Sequence, residues 1–116
     1  MTERVVFDTG AGSVELVSEP TKLRVIASGD VDYEASAQLE GVYRAVAERQ
    51  PSDVLVDLER TTFLDSVGLG FVVRLHQLVG RTGNKLTVLA SGSQVRRMFG
   101  LTGLDRVLTI AAQPTF

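Results

Sequence analysis

The chain has 116 residues, 44% hydrophobic and 22% charged, with a formal net charge of -2. That is the size and composition of one globular domain, and nothing marks a nucleic-acid surface or a polybasic membrane patch. There is no Cys and a single His, His76, which excludes disulfides, thiolate metal sites and multi-His metal sites.

The opening "MTERVVFDTG" lacks the apolar core of a signal peptide. No apolar run approaches the roughly 18 residues of a membrane helix. A cytoplasmic protein without membrane insertion is expected, as one domain over 1–116. "VVFD" and "SVELV" read as short strands, and "LRVIASG" as a third after the turn signal "SEPTK".

From Glu34 to Arg49 the pattern turns helical. Ala35, Leu39, Val42 and Val46 recur at helical spacing, with Asp32 placed to cap and Pro51 to stop the helix. "DVLVDL" reads as a strand buried on both faces. "ERTTFLD" reads as the loop into a second helix, from about Ser66 to Arg81, with Phe71, Val72, Leu75, Leu78 and Val79 as its core stripe. "KLTVLA" is another buried strand. "SGSQVRRMFG" reads as a helix capped by Ser91 or Ser93 and stopped at Gly100. "LTGLDR" is a loop and "VLTIA" a last strand.

Strands first, then helices alternating with strands, predict an α/β domain with parallel pairing and an antiparallel amino-terminal edge. Parallel pairing brings the carboxyl ends of the strands to one edge, where open α/β sheets place their sites. Three loops meet there, bearing Asp30 and Asp32; Thr61, Thr62, Asp65 and Ser66; and Ser91, Gly92 and Ser93.

Ser66 falls at or just inside the start of the second helix. Either Ser66 or Asp65 suits the cap. The helix start favours an attached phosphate and Asp65 opposes it, so the two effects nearly cancel. Ser66, Gly70, Val73 and Gln77 share the outward face. Val67, Leu69 and Val73 are expected to leave apolar surface around the hydroxyl, as suits protein docking. Asp30 and Asp32 read first as turn and cap residues. "GLG" lacks the spacing and the Lys of a phosphate loop, and "LDSVG" lacks the first glycine of a nucleophile elbow. No cofactor and no catalysis are expected.

The residues also resemble a known family. "FLDSVGLGFVV" is similar to the signature of the STAS domain, Asp-Ser-Ser/Thr-Gly-Leu-Gly, shared by anti-sigma factor antagonists and the cytoplasmic parts of sulfate transporters. "SGDVD" resembles the family's acidic turn, and "VRRMFGLTGLDRVLTI" the end of its domain, a likeness spanning about Leu23 to Ile110. The resemblance implies a STAS fold and a phosphoacceptor at Ser66. It implies a partner that is both anti-sigma factor and serine kinase, and a metal-dependent phosphatase that reverses the modification. Its docking surface would include Asp65, Val67, Gly68, Leu69 and Gly70, with the acidic turn at Asp30 and Asp32. Val67 stands where many relatives carry a second hydroxyl. The alternative implied is an unmodified STAS subunit of a scaffold or transporter. Self-association is left open, with a homodimer among the expectations.

Overall fold

The computed structural model describes residues 2–112. β1 (Glu3–Asp8), β2 (Gly12–Ser18) and β3 (Lys22–Val31) form an antiparallel meander. A 3-10 turn, Tyr33–Ala35, leads into α1 (Ser36–Glu48). Then follow β4 (Asp53–Leu64), α2 (Ser66–Gly80), β5 (Leu86–Leu89), α3 (Ser93–Thr102) and β6 (Thr109–Ala111). The strands lie in the sheet in chain order, and the pairs from β3 to β6 are parallel. The mixed α/β sheet with an antiparallel amino-terminal edge is as the sequence leads one to expect.

Each crossover from β3 onward advances the same way across the sheet. Right-handed crossovers therefore set the three helices on one face. Leu39, Val42 and Val46 of α1, Val72, Leu75 and Val79 of α2, and Val95 and Phe99 of α3 share one core with Leu16, Val25, Val56 and Val88 of the strands. All four residues of β5 are buried, which explains its unbroken apolar run.

Several boundaries differ from the sequence reading. "ERTTFLD" is mostly strand, not loop: β4 continues to Leu64, and Arg60 to Leu64 pair with Ser28 to Val31. The extension rests on register shifts between Ile26 and Ser28 and between Gly29 and Asp30. Gly29 takes φ +79, and a Cβ there would stand 2.4 Å from the Ala11 carbonyl oxygen. A glycine is required at this bulge. Asp30 consequently lies within β3 rather than in a loop.

Asp32 does cap, but it caps the 3-10 turn, accepting from the Glu34 N–H, and α1 proper begins at Ser36. Neither Ser91 nor Ser93 caps α3; Gly92 holds that place without a side-chain bond, and Ser91 donates to Glu59 instead. α3 also runs past Gly100 and ends at Gly103, whose φ of +75 makes the left-handed stop.

Candidate functional site

The parallel pairing brings the expected residues to one edge. β3 delivers Asp30 and Asp32, and β4 delivers Thr62, Asp65 and Ser66. The Thr62 hydroxyl donates to Asp30 Oδ1 at 3.0 Å, joining the two strand ends. The Asp65 N–H reaches the Val31 carbonyl. The Asp65 carboxylate does more. Its Oδ2 accepts the Tyr33 N–H at 3.0 Å. Its Oδ1 accepts from Val67 and Gly68 at 2.9 and 3.1 Å.

Asp65 is therefore the cap of α2, and Ser66 is the first helical residue. The side chain of Ser66 is exposed. Its hydroxyl makes no hydrogen bond among the described residues. The second and third helix amides are already taken by Asp65. An anion on Ser66 would gain little from them and would meet a carboxylate next door. Its charge would project into solvent rather than fold inward.

The surface around the hydroxyl has three parts. Along α2, Gly70 and Gln77 are exposed and Val67 and Val73 half-buried, which is the outward face expected. Tyr33, whose N–H bonds Asp65, stands beside it at 74% exposure; Phe63, 43% exposed, precedes the core residue Leu64 in β4 and so faces the other side of the sheet. Beside that outward face a groove of about 290 Å3 opens between α1 and α2, lined by Leu39, Glu40, Val67, Gly70, Phe71 and Arg74. Arg74 bonds Glu40 at 2.8 Å and stacks 4.1 Å from the Tyr43 ring centre. Its hydrogen bond holds the Glu40 carboxyl below the usual range and raises the guanidinium. Exposed as it is, the pair orders the groove wall more than it stabilises the fold.

Two expected surface residues turn inward. Leu69 is 4% exposed and belongs to the core, so it adds no apolar surface around Ser66. Gly68 is buried, and a Cβ on it would lie 2.5 Å from Leu64 Cδ1 and 2.6 Å from the Val31 oxygen. It lets α2 start hard against the strand ends. Gly70 differs: a Cβ there would meet nothing within 4 Å. Val67 and Val73, with the unanticipated Tyr33, supply the apolar part of the surface. The signal for Tyr33 is "DVDYE", an aromatic between two carboxylates at a strand end.

Gln94 was also not anticipated. From α3 it accepts the Leu64 N–H at 3.1 Å and donates to the Leu64 carbonyl at 3.3 Å. This closes the backbone just before Asp65. Ser91, Gly92 and Ser93 share the edge, but Ser91 is occupied by Glu59. Among the described residues no group of three or more carboxylates or His is arranged to hold a metal ion. No described helix is long and apolar enough to cross a membrane.

Comparison with known proteins follows the same lines. A family model described as "Mlab, STAS domain" matches residues 14–110. The anti-sigma-B factor antagonist of Staphylococcus aureus is 24% identical over 98 residues, 84% of this chain and 91% of that one. The anti-sigma F factor antagonist of Paenibacillus polymyxa is 26% identical over 98 residues, 84% of each chain. The crystal structure of an anti-sigma factor antagonist from Mycobacterium paratuberculosis aligns at a TM-score of 0.75 and 26% identity, covering 97% of this chain and 87% of that one. With the family model spanning most of the sheet and all three helices, the chain belongs to the STAS domain family.

Proposed function

We propose that this chain is an anti-sigma factor antagonist switched by phosphorylation of Ser66. Unmodified, it docks on an anti-sigma factor that carries serine kinase activity, and so frees the sigma factor. The kinase moves the γ-phosphoryl group of ATP to Ser66 Oγ; ADP leaves and the hydroxyl proton is lost. The phosphorylated form no longer docks, and a metal-dependent serine phosphatase restores it by hydrolysis. The chain itself is a binding module rather than an enzyme.

One observation carries the reading: Asp65 does the capping, which leaves the exposed Ser66 hydroxyl with no structural duty. The names of the relatives support the partner class. Tyr33, Val67, Gly70 and Val73 supply the contact surface, edged by Asp30 and Asp32. A phosphate adds about -1.5 to -2 charges in its midst. Charge misplaced against a partner costs several kcal/mol, so no large conformational change is needed.

The test is phosphate transfer. Incubation with ATP and the anti-sigma partner should add the mass of one phosphate on Ser66, and none to Ser66→Ala. Gain on another residue overturns the assignment. A second reading, an unmodified STAS subunit docking through the same surface, draws on Val67, which stands where a further hydroxyl belongs in many relatives. Absence of any transfer, with docking intact, favours it.

A further inference from the structure

β1 ends the sheet, and no described strand pairs with its outer side. The parity of its pairing fixes which backbone groups face out. Thr9 N–H donates to the Gly12 carbonyl at 3.0 Å across the turn. The register then runs from Asp8↔Ser13 to Glu3↔Ser18. Hydrogen-bonded pairs alternate along an antiparallel ladder. Phe7, Val5 and Glu3 thus bond inward to β2. Arg4, Val6 and Asp8 turn their N–H and C=O groups outward.

The side chains of those three residues share the sheet face opposite the helices, because Phe7, between them, packs against Gly41 of α1. Val6 is 57% exposed. Arg4 spends Nη1 on Glu15, and Asp8 spends Oδ1 on the Gly10 N–H. Each keeps a charged atom for another partner.

We propose that β1 pairs antiparallel with β1 of a second copy of this chain, with Val6 on the two-fold axis. In that register Val6 faces Val6, and Arg4 faces Asp8 of the second copy on both sides of the axis. Val5 stands beside Phe7 of the second copy on the helix face. Every outward N–H and C=O from Arg4 to Asp8 finds a partner. A slip of two residues sets Val6 against a charge and strands part of the ladder. Opposite charges directly across a ladder attract and like charges repel, so "RVVFD" is complementary to itself only when centred on Val6. Edge strands are commonly blunted by charge; here the two charges are of opposite sign and equidistant from Val6. The pairing is isologous and closed. It leaves the α2 start free in both copies and does not rest on the reading of Ser66.

The test is sedimentation equilibrium of the full chain over a wide concentration range. Wild type should reach twice the chain mass. Val6→Lys, at an exposed position, should keep its far-UV circular dichroism and melting temperature while dimerising roughly tenfold more weakly or worse. Val6→Glu should weaken dimerisation likewise, with some loss of melting temperature because Glu15 of β2 lies directly across from it, and an equal mixture of the two variants should dimerise again, which a folding defect would not allow. A wild type that stays monomeric throughout overturns the proposal. So does a dimer undisturbed by Val6→Lys, or a mixture that remains monomeric.

Discussion

The Asp65 carboxylate holds the backbone N–H of Tyr33, 32 residues away in the chain, at 3.0 Å. Through this contact the exit from β3 and the start of α2 are fastened together, and the neighbouring Ser66 is left exposed with no part in the cap. Asp65→Ala removes three accepted hydrogen bonds at once. We expect a loss of about 2–3 kcal/mol in urea unfolding, a cap plus a charge-assisted bond. Ser66→Ala, beside it, should stay within about 0.5 kcal/mol of wild type.

The two glycines of "VGLG" should respond oppositely. Gly68→Ala drives a methyl into Leu64 and the Val31 carbonyl, and should cost about 1–3 kcal/mol. Gly70→Ala meets nothing and gains helix propensity, so it should stabilise by up to about 1 kcal/mol. If a partner lies close over Gly70, the same change weakens binding while raising stability. Thermal melts paired with binding titrations separate the two.

Gln94→Ala strands the Leu64 N–H and C=O at a buried residue. A cost of about 1–3 kcal/mol is expected from denaturant unfolding. Faster amide exchange at Leu64 should accompany it. Gln94→Glu keeps the acceptor for the N–H but loses the donor, and should fall between.

Tyr33→Ala should weaken docking on the anti-sigma partner by about 1 kcal/mol or more, as aromatic anchors do. Tyr33 being exposed, stability should stay within about 0.5 kcal/mol of wild type. Calorimetric titration with parallel melts reads both.

Much of this site was legible in the sequence because topology alone brings Asp30, Asp32, Thr62, Asp65 and Ser66 to one edge. The buried strands showed as "LTVL" and "DVLVDL", where apolar runs leave little choice. The continuation of β4 through "ERTTFL" was not legible. Glu59 and Arg60 point to solvent, and the pairing depends on a bulge at Gly29, where the Ala11 carbonyl of the turn between β1 and β2 leaves no room for a side chain. Gly68 and Gly70 look alike in sequence; only contact with Val31 and Leu64 tells them apart. Gln94 carries no local signal, since its partner lies 30 residues away.

The central claim is that a charge on Ser66 ends docking while the domain stays folded. Calorimetric titration of the anti-sigma partner with unmodified, Ser66→Ala and Ser66-phosphorylated chain tests it most directly. Unmodified and Ser66→Ala chains should bind alike. The phosphorylated chain should bind about a hundredfold more weakly or worse, some 2.8 kcal/mol, with its melting temperature nearly unchanged. Equal affinity of the phosphorylated and unmodified chains would contradict the account.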